Sequence, residues 1–168
     1  MIFRKAVETD SSGILNIIGQ AQSYFKENGI DQWQNNYPNY QTIQDDIING
    51  NGYVLIKDDL IVGTVALSFD GERTYDSIYE GQWLSNTEYC VIHRMAVASG
   101  YKGEGLASVI IGNIEDICIS KDIDSIKVDT HSDNSSMQKL LTKNGFVYCG
   151  IIYLEDNGER KAFEKLLL

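Results

Sequence analysis

Between Tyr89 and Thr130 the chain reads as strand, glycine loop, helix and strand, and that order leaves few folds open. Tyr89-Cys90-Val91-Ile92-His93-Arg94-Met95-Ala96-Val97 is an apolar strand-like run. Gly103 and Gly105 follow, one residue apart, and then Leu106, Ile110, Ile114 and Ile117 recur at helical spacing before the compact strand Ser125 to Thr130. A helix joining two strands of one sheet makes them parallel neighbours. The loop itself is a place for anions. First-turn N–H groups of a helix have no backbone partner, the helix dipole adds partial positive charge, and glycine removes side chains that would hold a phosphate away. Two known phosphate fingerprints fail on the letters. Gly100 to Gly105 has the outer spacing of a P-loop, but Leu106-Ala107 stands where Lys and Ser/Thr are required. Gly103-x-Gly105-x-x-Ser108 opens like a dinucleotide motif, but its third position is neither Gly nor Ala and no acidic ribose anchor follows.

The remaining elements follow from capping and periodicity. Ile2 to Ala6 is a short first strand, and Asp10 is placed to cap a helix with Ile14, Ile17, Ile18, Ala21 and Phe25 on one face, ended by Gly29. Asn39, just after Pro38, caps a short helix to Asn49, stopped by Gly50. Tyr53 to Lys57 and Leu60 to Phe69 form a hairpin around Asp58-Asp59. Asp70 to Thr87 has no clear period and is long enough to read as a lid. Asp133 or Asn134 starts a last helix closed by Gly145, and Phe146 to Leu154 pairs with Lys161 to Leu168 around Asp156-Asn157-Gly158. The expected fold is α/β (α+β): a mixed, mostly antiparallel central sheet flanked by helices, with one parallel pair at its centre.

Composition narrows the partners. With 168 residues, 43% of them hydrophobic, one domain spanning 1–168 is expected. The net charge of −10 and the absence of a basic stripe argue against nucleic acid and acidic membranes, and favour a cationic acceptor. The opening Met1-Ile2-Phe3-Arg4-Lys5 lacks a signal-peptide core, so the cytoplasm is expected; Cys90, Cys118 and Cys149 sit in apolar contexts as buried reduced thiols. The sequence leaves monomer or homodimer open.

Read as Lys102-x-x-Gly105-x-Ala107 after a strand ending Met95-Ala96-Val97, the loop resembles the acyl-CoA pyrophosphate loop of the GNAT superfamily of N-acetyltransferases, with Lys102 in place of the usual Arg or Gln. The later elements fit: Asn134 leads a helix that ends Asn144-Gly145-Phe146. The resemblance implies that the parallel strands splay to take acetyl-CoA, the acyl donor. Met95, Ala96 and Val97 would grip the pantetheine arm by their backbone, and the Val97 amide would donate to the thioester oxygen as it gains charge. Lys102, Gly103, Glu104, Gly105, Leu106, Ala107 and Ser108 would hold the diphosphate, with Asn134 on the pantetheine amides and Lys143 or Lys139 reaching phosphate.

The substrate's own amine would attack. His93 is the expected base, since some relatives carry histidine there and the carboxylate position of others is Val91. The family's acid tyrosine is replaced by Leu141, which leaves Tyr148 and His131 as candidate acids; each has a packing alternative. Arg94 is expected to face away from His93 and anchor an acidic neighbour such as Asp129, with a substrate carboxylate as the other partner. Trp33, Tyr37, Tyr75 and Trp83 would line the acceptor pocket, against core filling for each Trp. The spacing of His93, His131, Asp129 and Cys90 matches no zinc pattern, so no metal is expected. The function implied is N-acetyl transfer to a small primary amine; the alternatives are an acyl-CoA-binding sensor or scaffold of the same fold and, more distantly, a nucleotide-binding protein.

Overall fold

A computed structural model describes residues 1–168. Seven strands form one sheet in the order β1-β2-β3-β4-β5-β7-β6. They are β1 (Ile2–Lys5), β2 (Gly52–Lys57), β3 (Leu60–Ser68), β4 (Cys90–Val97), β5 (Ser125–Thr130), β6 (Val147–Tyr153) and β7 (Glu159–Leu166); the helices are α1 (Ser11–Glu27), α2 (Tyr40–Ile48), α3 (Leu106–Ser120) and α4 (Ser135–Lys143). β4 and β5 run parallel, and their ladder pairs Cys90 with Ile126 and Val91 with Lys127. The pairs β1·β2, β2·β3, β5·β7 and β6·β7 are antiparallel. The expected mixed sheet with one parallel pair is what forms.

The chain divides into two compact units, Met1–Leu67 with His93–Asn113, and Ser68–Ile92 with Ile114–Leu168. In the first, α1 buries Ile14 and Ile18 against Ala6, Ile43 and Val54, with Trp33 and Ala96 packed on the cluster. Asp58 and Asp59 both take left-handed backbone, φ 52 and 63, which is the two-residue turn that matches strand twist, so the β2–β3 hairpin closes there. Asn39 caps α2 as expected: its Oδ1 accepts the Thr42 N–H at 3.1 Å and the Asn39 N–H donates back to Thr42 Oγ1 at 3.2 Å. Asp10 does not cap α1. Its carboxylate instead accepts the Val7 N–H at 2.8 Å and two Arg4 donors at 2.8 and 3.1 Å, because an arginine on β1 competes better for it than a helix amide.

In the second unit, Tyr75, Val91, Ile152 and Ala162 form the core, with Ile78, Trp83 and Tyr89 against them. The segment expected as a lid is fastened down. Tyr79 and Ile151 exchange backbone hydrogen bonds at 2.8 and 2.7 Å. A side chain on Gly81 would come within 2.0 Å of the Cys149 carbonyl oxygen, so only glycine allows that approach. Further along, the Leu84 N–H and the Ser85 hydroxyl donate to the buried Glu164 carboxylate at 2.6 and 2.5 Å, and Ser125 Oγ joins them at 2.7 Å. These anchors make it a strap. β7 starts at Glu159, ahead of the expected Lys161, because Tyr153 pairs with Glu159 across a turn that holds Asn157 at φ 68.

Candidate functional site

The glycine loop and the strand that leads into it lie within the first unit. β4 passes through Met95, Ala96 and Val97 into a 3-10 turn at Ser99–Tyr101, then Lys102 to Gly105, and α3 opens at Leu106. Gly103 and Gly105 have φ 85 and 75, backbone that L side chains rarely adopt. A methyl group added to either would touch nothing within 4 Å, so the loop is bare as well as bent. The first helical bond runs from Val109 N–H to Gly105 O at 3.2 Å, which starts the helix directly at the loop. Leu106 is buried and anchors this end of α3 in the core.

Side chains around the loop hold it without filling it. Gln20 of α1 accepts the Ser99 N–H at 2.8 Å. Lys57 donates to Glu104 at 2.7 Å, which offsets the one carboxylate of the loop; Glu104 in turn raises the Lys57 pKa. The Lys102 ammonium lies 4.3 Å over the Tyr24 ring. Gln20 and Lys57 gave no local signal, since each reaches the loop from a distant, ordinary polar position in the chain.

His93 and Arg94 are half-buried on β4. Arg94 does not anchor Asp129. Its Nε and Nη2 donate to Asp46 at 2.8 and 2.5 Å, and its Nη1 donates to the Tyr37 hydroxyl at 3.0 Å. The reason is tertiary: α2 brings Asp46 to β4, whereas Asp129 accepts the Tyr75 hydroxyl at 2.6 Å in the other unit. With the guanidinium fork occupied by Asp46, it is not presented to a substrate carboxylate. Trp33 packs on Phe25 with centroids 5.6 Å apart, and Tyr37 is exposed.

The other expected site residues belong to the second unit. Asn134 caps α4 through Met137 N–H at 3.2 Å and is buried. Lys143 lies in the last turn of α4, the opposite end from Asn134. His131 Nδ1 accepts the Asp133 N–H at 3.0 Å, which puts the neutral ring's proton on Nε2. Tyr148 stands edge-on to Phe163 at 5.7 Å, and its phenol pKa is raised by burial, then by Glu80 and Glu159, so it keeps its proton. Leu141 is fully buried and gives no donor. Tyr75, expected in the acceptor pocket, is 2% exposed and a core residue. Trp83 donates Nε1–H to the Tyr75 carbonyl at 2.9 Å and, with Tyr89, cages the buried Lys127 ammonium at 4.4 and 4.1 Å. Burial lowers the Lys127 pKa. The three cysteines are free and buried; burial pushes the Cys149 thiol up to about 11. No group of three or more His, Cys, Asp or Glu is arranged to hold a metal, and no helix is long and apolar enough to cross a membrane.

A mixed seven-stranded sheet with one parallel pair, whose central strand runs through a bare glycine loop into a helix, defines an α/β (α+β) architecture. The sequence model of the acetyltransferase (GNAT) family matches residues 20–146, and the chain belongs to that family. The crystal structure of a GNAT-family acetyltransferase from Streptococcus agalactiae 2603 is 33% identical, with 99% of this chain and 95% of that chain covered and a TM-score of 0.92. A GNAT-family acetyltransferase from Listeria monocytogenes 4b F2365, 19% identical, covers 99% and 94% at a TM-score of 0.76. The NatC complex bound to Gag peptide and CoA contains a chain 16% identical, covering 99% and 98% at a TM-score of 0.70. The latter two show the fold alone. No curated protein matches the chain.

Proposed function

We propose that the protein is an acetyl-CoA-dependent N-acetyltransferase acting on the primary amine of a small molecule in the cytoplasm. The observation that carries this is the loop from Lys102 to Gly105, with two left-handed glycines and open space at both, leading from β4 directly into α3. In this reading the amides at the start of α3, with Lys102, take the diphosphate, and the Met95–Val97 backbone takes the pantetheine arm. Asn134 and Lys143 are assigned to the arm and the phosphates by the family pattern. The NatC complex, which contains a chain of the same fold and is bound to CoA, supports a CoA ligand.

The chemistry follows from these assignments. The neutral amine attacks the thioester carbonyl carbon, the Val97 N–H steadies the oxyanion, and collapse breaks the C–S bond. His93 takes the proton the amine loses. The leaving thiolate takes the phenolic proton of Tyr148, or a proton from His131 in its imidazolium form. Trp33, Tyr37 and Trp83 are the acceptor contacts, and the net charge of −10 favours a cationic acceptor. Leu141, apolar and buried where the family resemblance implies a tyrosine, motivates a second reading, an acyl-CoA-binding module without turnover.

Thiol release from acetyl-CoA, screened against pooled amines, tests the first reading. Release with at least one amine supports it. Thermal stabilisation by acetyl-CoA with no release across the panel selects the second, and stabilisation by neither refutes both. His93→Gln should lower turnover at neutral pH on the order of 10²-fold while leaving acetyl-CoA affinity in place; identical pH–rate profiles would remove His93 from the mechanism.

A further inference from the structure

Arg94 has φ 49 within β4, and no other residue of β4 takes left-handed backbone. An arginine has no intrinsic reason to sit there, and such backbone persists only where its surroundings hold it. Here the residue's own side chain supplies the hold. Asp46 on α2 takes Nε and Nη2 with both carboxylate oxygens, and the two side chains are only 16% and 12% exposed. The third donor, Nη1, goes to the Tyr37 hydroxyl.

Tyr37 lies in the irregular stretch between α1 and α2, where Trp33, Asn35 and Asn36 are also left-handed, at φ 56, 59 and 59. That stretch is tied to α1 by Gln22 Nε2 on the Pro38 carbonyl at 3.0 Å and Gln34 Nε2 on the Gln22 carbonyl at 3.2 Å. One guanidinium therefore joins three elements of the first unit: a kinked strand, a helix, and a segment whose backbone is held away from its relaxed state.

We propose that Tyr37, Arg94 and Asp46 form a clamp that couples the segment 28–39 to the main chain of β4, with Arg94 as a positioning residue. Asp46 braces the kink, which turns the peptide planes on either side of Arg94 out of the regular strand repeat and so sets the direction of the amides that follow at Met95, Ala96 and Val97. Tyr37 carries the position of its segment to the same guanidinium. The clamp rests on the proposed function in reading β4 as the donor strand and Trp33 and Tyr37 as acceptor contacts. Seating an acceptor against Tyr37 then steadies the strand that holds the thioester, and a loosened strand disturbs the acceptor segment.

The test uses Tyr37→Phe, Asp46→Asn and the double variant of the full chain, with CoA affinity by calorimetry, acceptor KM by thiol release, and amide hydrogen exchange at Met95–Val97. Tyr37→Phe should raise acceptor KM about fivefold and leave CoA affinity unchanged, since Asp46 still braces the kink. Asp46→Asn should raise acceptor KM, weaken CoA about tenfold and speed exchange at Met95–Val97. The double variant should have the acceptor KM of Asp46→Asn alone. Multiplying effects in the double variant, or an Asp46→Asn protein with wild-type CoA affinity and exchange, would overturn the clamp. If Asp46→Asn does not fold, Asp46→Glu keeps the charge, shifts the carboxylate by one methylene and is read the same way. A wild-type protein that neither binds CoA nor releases thiol defeats the proposed function, while exchange at Met95–Val97 in the variants still decides the clamp.

Discussion

The Tyr75 hydroxyl donates to Asp129 Oδ2 at 2.6 Å, joining residues 54 positions apart. Burial raises the Asp129 carboxyl, and the Tyr75 hydrogen bond and Arg160 partly lower it again. A carboxyl whose folded pKa lies above its unfolded value weighs against the fold as pH rises from the unfolded value, about 3.9, through the folded one. Tyr75→Phe removes a lowering influence. It should therefore cost about 2 kcal/mol near pH 7, with the loss shrinking at acid pH where Asp129 is protonated. Urea denaturation at the two pH values reads this, and an equal loss at both would count against the pair.

Asp10 has the opposite sign. The Arg4 guanidinium, more than the Val7 N–H, holds its carboxyl below the usual range against opposing burial. Its contribution is present above the unfolded pKa and is lost as pH falls through the folded one. Asp10→Asn should cost about 1–2 kcal/mol at neutral pH and progressively less on acidification. A loss independent of pH would show that packing, not the ion pair, is what the substitution damages.

Glu164 is fully buried and accepts three donors, two of them from the strap. Glu164→Gln keeps the shape but replaces one acceptor oxygen with a donor, so its three hydrogen bonds cannot all keep their present direction. A loss of about 2–4 kcal/mol is expected, with faster tryptic cleavage at the exposed Arg73. Unchanged cleavage kinetics would mean the backbone bridge of Tyr79 with Ile151 is sufficient to hold the segment.

Two glycines near one another should respond in opposite ways. Gly105→Val puts a β-branched residue at φ 75 and a side chain into open space beside the helix start. It should destabilise by about 1–2 kcal/mol and abolish thermal stabilisation by CoA. Gly112 lies inside α3 with nothing near it, so Gly112→Ala should stabilise by about 0.5–1 kcal/mol and leave CoA binding alone. Differential scanning fluorimetry with and without CoA separates the two, and retained CoA stabilisation in Gly105→Val would argue against the loop as the diphosphate site.

The sequence by itself determined whatever depends on neighbours within a few positions. The Asn39 cap, the Asp58-Asp59 turn, the glycine loop ahead of α3 and the crossover from β4 to β5 were all legible, because capping, turn chemistry and hydrophobic period act locally. Only the tertiary structure decided where the charges go. Asp10 reads as a cap until β1 brings Arg4 to it, Arg94 finds Asp46 rather than Asp129, and the stretch that reads as a lid is strapped down because β7 presents Glu164. A buried charge takes whichever partner the packing delivers, and spacing along the chain carries no record of that delivery.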